Sequence, residues 1–266
     1  LRLIGGKEMK KDNFRVQRVV PYLFSKLSGA GIATFLFILF TFLNTGFDMY
    51  KTVEDVLELR LLQFFYIYGI ACSLVVDLIA RFIPRMDKLG KALLYIIAGY
   101  AAFMVNGFNS LTLIAGTVGA LSALIFYAGT QWSEMKSPLK YVFSIAIPLL
   151  IVVVLNIDFT VKNGWTEQRT NTSFEANFTY FNGKHEIPVV VREGETLSYS
   201  VKVKNEEQGG YGYSLINEEG DPIGVSEKIN GGRKYYVVTV KKTAEYRLVI
   251  TGNQLHGSIK VSWTIE

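Results

Sequence analysis

Uninterrupted apolar runs at residues 27–47, 61–83, 92–108, 111–131 and 141–159 constrain this chain more than any other feature of it. A hydrocarbon core about 30 Å thick takes about 20 helical residues to cross, and about 17 at the short end. The runs are apolar on every side, with no polar stripe at a period of 3.6, so a helix built from any of them has no face to offer water. A buried bundle inside a soluble globule is set aside on that ground, and five transmembrane helices are expected across residues 27–159. The third run is the shortest. It closes on the turn cluster Asn106-Gly107-Phe108-Asn109-Ser110, so the third and fourth helices should form a tight hairpin.

Orientation follows from the placement of Lys and Arg, because short translocated loops avoid positive charge. With the amino terminus inside, the inner segments carry thirteen basic residues: seven in the basic stretch 1–26, then Arg81, Arg85, Lys88 and Lys91, then Lys136 and Lys140. The first outer loop carries only Lys51 and Arg60. Five crossings then leave the carboxyl-terminal part outside, in a multi-pass protein of the plasma membrane. A cleaved signal peptide competes for the first run, but the run exceeds the usual 7 to 15 residues, and Thr41-Phe42-Leu43-Asn44 lacks a small-x-small site. Residues 1–8 are expected to precede the true start: Gly5-Gly6 ahead of Met9 matches a translated ribosome-binding sequence, which points to a bacterium. The net charge of +5 gives no ground for nucleic-acid binding, since it lies wholly before residue 160 and flanks apolar runs.

Charge inside hydrocarbon is costly and tends to be kept for use. Asp77 is the one full charge expected in the interior of a run, away from its ends. Arg81 lies four residues on, about 6 Å along a helix, and is its expected partner at the inner interface. The competing reading, a proton or ion relay, wants a second buried acid or base, which the other runs do not supply. In the fourth run Ala115, Gly119 and Ala123 recur every four residues and allow a neighbouring backbone to approach. That neighbour is expected to be a helix of the same chain, with a homo-oligomer seam as the alternative. Pro148 removes one helical hydrogen bond from the fifth run and should bend it, as a static kink or a hinge.

After about residue 163 the pattern changes to strict alternation, the mark of strands with one buried face. Leu197, Tyr199, Val201 and Val203 point one way, and Ile259, Val261, Trp263 and Ile265 repeat the scheme. Tyr236, Val238 and Val240 follow it, as do Tyr246, Leu248 and Ile250. Turn signals stand at Asn182-Gly183, Glu193-Gly194, Gly209-Gly210, Gly220-Asp221-Pro222, Gly231-Gly232 and Gly252-Asn253. Seven or eight antiparallel strands over residues 167–266 are expected to form an all-β sandwich, joined to the last helix by a short linker, 160–166, with Trp165 as an anchor at the outer interface.

Phe178-Thr179-Tyr180-Phe181-Asn182-Gly183, Val189-Val190-Val191, Glu193-Gly194-Glu195, Leu215-Ile216-Asn217-Glu218-Glu219-Gly220 and Ala244-Glu245-Tyr246-Arg247-Leu248 follow one another in an order that resembles the small extracytoplasmic β-sandwich modules of bacterial envelope proteins. The order is similar, more distantly, to the Golgi-dynamics domain. The resemblance covers about residues 174–266 and implies a module that binds proteins or ligands and carries no catalytic set. The residues themselves offer little chemistry. Asn217, Glu218, Glu219 and Asp221 group oxygens in a turn whose spacing departs from a calcium loop. Tyr211, Tyr213, Tyr235 and Tyr180 are expected in the core rather than on a sugar-binding platform. Lone Cys72 and distant His185 and His256 argue against disulfides and structural zinc. No catalytic, metal or cofactor site is expected. Two functions are carried forward: recognition of a protein, peptide or envelope polymer by the outer module, and a transport or export pathway through the helices.

Overall fold

The computed structural model describes residues 5–83, 85–105, 107–135, 137–207, 209–230 and 233–266, with backbone alone at 5–18, 137, 230 and 233. Two compact units divide the chain, Leu1–Ile157 and Asp158–Glu266. The expected start at Met9 falls where at most the backbone is described, and residues 1–4 lie outside the described residues.

The first unit is helical. Its elements are α1 (Gly5–Asn44), α2 (Met49–Glu58), α3 (Leu61–Phe82), α4 (Lys88–Met104), α5 (Ser110–Met135) and α6 (Pro138–Leu155). Four stretches are long and apolar enough to cross a membrane: Val19–Asn44 of α1, and α3, α5 and α6. The third expected crossing corresponds to α4, which at 17 residues is shorter than those four. Gly99 of α4 and Gly119 of α5 permit the close approach of their helices. A Cβ on Gly99 would lie 2.6 Å from the Ala120 backbone, and one on Gly119 would lie 2.5 Å from the Gly99 carbonyl oxygen. The hairpin is thus built on backbone contact. Its far end is capped by reciprocal bonds, Thr112 N–H to Asn109 Oδ1 and Asn109 N–H to Thr112 Oγ1, each 2.9 Å.

Helix α2 lies in what sequence patterning leaves as an outer loop. Asp48 caps it by accepting from the Lys51 N–H at 3.0 Å, and the Lys51 ammonium holds Glu54 and Asp55 at 2.9 and 3.0 Å. Thr52 and Val56 are its buried face. Two helices contain a π-helical stretch, Phe64–Gly69 in α3 and Val142–Ala146 in α6. The second immediately precedes Pro148, which is the second residue of the regular helix Ile147–Leu155, so the wider π turn stands where the proline was expected to disturb the helix.

The second unit is one antiparallel sheet of eight strands in the order β1-β3-β8-β4-β7-β6, with β2 also on β3 and β5 also on β8. The strands are β1 (Val161–Asn163), β2 (Thr166–Arg169), β3 (Ser173–Val191), β4 (Thr196–Asn205), β5 (Gly210–Ile216), β6 (Ser226–Asn230), β7 (Arg233–Thr239) and β8 (Ala244–Ile265). The stretch 160–166 expected as a linker already contributes to this sheet: Val161 pairs with Asn182, and Trp165 stacks on Phe178 at 5.3 Å. Two of the expected turns are also not turns. Asn182-Gly183 and Gly252-Asn253 lie inside β3 and β8, where Gly183 pairs with Gly252 across a double register shift. A bulge with glycine on both strands bends a long ribbon without ending it, and leaves the same local signal as a turn. Beyond this bend the free edge of β8 changes partner, from β5 along residues 247–253 to β4 along 257–265. Both halves feed one core, in which Phe174, Phe181, Ile187, Leu197, Leu248 and Val261 are at most 2 % exposed. Burying each such side chain contributes about 1.5–3 kcal/mol. The alternation expected along β4 and β8 holds, except that Val249 between Leu248 and Ile250 is also buried and Ile265 at the strand end is 38 % exposed.

Candidate intramembrane polar site

Asp77 sits five residues before the end of α3, where the amino-terminal half of α1 and the start of α4 converge. Its Oδ2 accepts from the Lys26 ammonium at 2.6 Å and from the Tyr22 hydroxyl at 2.8 Å, and its Oδ1 lies 3.5 Å from the Lys91 ammonium. Tyr22 and Lys26 are four residues apart and so share one face of α1, with the ammonium 5.1 Å from the tyrosine ring centre. Lys26 is 4 % exposed. The expected partner is therefore corrected: Asp77 pairs with Lys26 and Lys91, and Arg81 stays exposed. Solvation accounts for the choice. Arg81 can be hydrated where it stands, whereas a buried ammonium without a counter-charge costs several kcal/mol, so the carboxylate goes to the cation that cannot reach water.

Lys26 also overturns the expectation that no second ionisable group is buried with Asp77. It lies inside the apolar stretch Val19–Asn44, not ahead of it. Its place after Ser25 at the edge of the run made it look like a flank, and Tyr22 four residues earlier was the available sign that this face turns inward. Hydroxyl contacts join helices elsewhere in this unit: Ser28 with Ser133 at 2.6 Å, Ser73 with Tyr95 at 2.7 Å, and Tyr100 with Thr117 at 2.8 Å. Each ties two helices without hydrophobic driving force, as lipid requires. Chemically the centre is an acid held between two bases, with a formal excess of one positive charge.

The small residues of α5 are used within the chain. Gly119 meets Gly99, Ala123 packs beside the buried helical cluster, and Ala115 is half-buried one turn before Gly119.

A second polar arrangement lies on the β unit. Along β4 and β8 the residues alternating with the core are hydroxylic, and they pair across strands as Ser200 with Ser262 and Ser198 with Thr264. With Tyr235 of β7 and Lys228 of β6, which pair with one another, they line an open groove. It is a surface of hydroxyl groups with an aromatic edge, one cation, Lys228, and one carboxylate, Glu266. Tyr211 and Tyr213, expected in the core, are 53 % and 37 % exposed on the edge strand β5, and the Tyr213 hydroxyl bonds that of Tyr236 at 2.6 Å.

His185 lies apart from the groove, stacked on Phe174 at 4.8 Å, with Nδ1 2.8 Å from the Lys162 ammonium. Burial first, and the Lys162 charge second, push its pKa down to about 4. The ring is thus neutral at pH 7 and accepts from Lys162. Burial also holds Lys162 below the ordinary lysine value. No group of three or more His, Cys, Asp or Glu with the arrangement of a metal site occurs among the described residues. No protein-family model matches the sequence, and no curated protein matches it.

Proposed function

We propose that this is a multi-pass protein of a bacterial plasma membrane, crossing it five times with α4 as the short crossing, whose β unit is an extracytoplasmic sandwich that recognises a protein, peptide or envelope polymer. Helices anchor the module, which is of the kind the sequence resembles. The hydroxyl-lined groove of β4, β8, β7 and β6 carries this reading, because its hydroxyls, with one cation and one carboxylate among them, suit a polyhydroxylated or peptidic ligand. Basic residues gather at the end of the helical unit that holds Asp77, which supports an inner location for that end. Two experiments test the proposal. Lys260→Cys in intact cells should react with a membrane-impermeant thiol reagent before lysis, and labelling only after lysis defeats the topology. The full chain in nanodiscs should retain solubilised envelope polymer or peptide, and Tyr235→Ala with Ser200→Lys should abolish retention. Equal retention by the variant defeats the groove.

The buried Lys26–Asp77 pair supports a second reading, a proton-coupled pathway through the helices, since a relay needs an acid and a base together inside the span. Proteoliposomes loaded with a pH-sensitive dye decide it: proton flux abolished by Asp77→Asn favours transport, and no flux above protein-free vesicles removes it.

A further inference from the structure

Pro148 removes a backbone donor from α6. In the π-helical stretch Val142–Ala146 the Ile147 N–H bonds the Val142 carbonyl, five residues back. Continuing the pattern, the Phe143 carbonyl would accept from residue 148, which is proline and has no N–H. The donor an ordinary α-turn would give it, Ile147, is already committed. Phe143 is therefore left with a carbonyl that its own helix does not satisfy, about a third of the way along the apolar stretch Pro138–Leu155, where each such group is costly.

That oxygen faces Gly31, at the centre of the stretch Val19–Asn44 of α1. A Cβ placed on Gly31 would collide with it, and would lie 3.3 Å from the hydroxyl of Tyr66. Tyr66 belongs to the other π-helical stretch, Phe64–Gly69. Its hydroxyl is buried and has no hydrogen-bond partner among the described residues, and the same holds for that of Ser144, one residue past Phe143 and 8 % exposed. Buried hydroxyls are nearly always bonded. An orphaned acceptor and an orphaned hydroxyl thus flank one glycine, within the roughly 5.5 Å that a single water bridges with two hydrogen bonds.

We propose that the Tyr66 hydroxyl and the Phe143 carbonyl, brought together at Gly31 by the two π-helical stretches, form a binding site for a water molecule in the middle of the helical unit. Water accepts from Tyr66 and donates to Phe143, replacing the hydrogen bond that Pro148 takes away. Neutral oxygens alone make the site, so it suits a neutral guest over a cation.

The test uses the full chain in nanodiscs. Tyr66→Phe should lower the Tm by a few degrees, because it strips the water of its donor and strands the carbonyl. A hydroxyl that truly lacked a partner would give the opposite result, an unchanged or raised Tm, and that outcome overturns the proposal. In a Pro148→Ala background, where residue 148 regains its N–H, the loss on Tyr66→Phe should largely vanish; an equal loss in both backgrounds overturns the role of Phe143. If Tyr66→Phe does not fold, solid-state NMR of the unsubstituted protein decides: magnetisation should pass from water protons to the Tyr66 ring carbon bearing the hydroxyl, and no transfer ends the idea. A Tm that changes when sodium is replaced by N-methylglucamine assigns the site to a cation and likewise overturns it.

Discussion

Buried polar residues divide unevenly between the two units. In the helices Ser25, Lys26, Ser28, Ser73, Thr130 and Ser133 are all buried, with others like them, while in the sheet the buried polar residue among those described is Asn182. Large apolar side chains show the reverse: Phe40, Ile67, Phe82, Leu111 and Leu149 stand exposed on the helices, and the sheet gathers its own into one core. The difference teaches what each surface meets. Where the surroundings are as apolar as leucine, burying leucine contributes little, and specificity comes from paired hydroxyls, the ion-paired Asp77 and glycine contacts. Where the surroundings are water, apolar burial carries the fold and polar groups stay outside.

Breaking each unit at its own kind of contact is the most direct test. Phe181→Ala should destabilise the sheet by about 3–5 kcal/mol, since the ring is fully buried against Trp165, Phe178 and the Gly252 backbone. Hydrogen exchange should show faster opening of β3 and β8 with the helices unchanged; equal loss of protection in both units would mean that they do not fold independently. Asp77→Ala should cost the helical unit about 3–5 kcal/mol by leaving Lys26 buried and unpaired. Adding Lys26→Met should recover most of that loss in a detergent unfolding assay, and adding Arg81→Met should not. Recovery by the arginine change alone would restore the pairing expected from spacing.

That pairing shows where sequence reasoning reaches its limit. Asp77 was legible because a carboxylate stands alone in an apolar run, and a four-residue spacing names a partner on the same helix. The actual partners come from α1 and α4, 51 residues before and 14 after, and no local spacing encodes a contact between helices. The helices and most strands were legible for the opposite reason, since continuous or alternating hydropathy is a local pattern. Gly183 and Gly252 fail between these cases: glycine marks a departure from regular backbone, and only the partner strand decides whether the chain turns or bulges. Helix α2 was missed although Asp48 ahead of Thr52 and Val56 carried a capping signal, because charged residues in a loop between two spans read as solvated loop. The π-helical stretches left no mark, and neither did the groove, whose hydroxyls lie on three strands, β4, β7 and β8, separated in sequence.

Glycine contacts separate a packing role from an assembly role by a smaller margin. Gly119→Val should cost about 1–3 kcal/mol by forcing α4 and α5 apart. Light scattering of the purified protein should show an unchanged oligomeric state. A variant that keeps its stability but loses a dimer would transfer the contact from the hairpin to a second copy.

The smallest effect concerns acid. His185 is held neutral in the fold, with its pKa near about 4, while the unfolded chain binds a proton at the ordinary value near 6.5. Protonation therefore favours the unfolded chain as pH falls from 6.5, the loss grows until about 4, and it is flat below that value. Partial exposure of the ring reduces the amount to about 1–2 kcal/mol. Glu186 and Asp158 act in the same direction but lower down. Burial works upward on Glu186, but hydrogen bonds from Lys184 and Arg247 outweigh it, and bonds from Thr160 hold Asp158 below its usual range, so their contribution goes as pH falls through the carboxylate values. The windows separate the two causes. Between pH 6.5 and 5 the β unit should lose stability through the histidine, and His185→Gln should flatten that part of the profile while keeping the fall below pH 4.5. Urea unfolding followed by the fluorescence of Trp165 and Trp263 reads it, since both are packed in this unit. A slope unchanged by His185→Gln would mean that the imidazole is already charged at pH 6 and pairs with Glu167, 3.8 Å away, in place of accepting from Lys162.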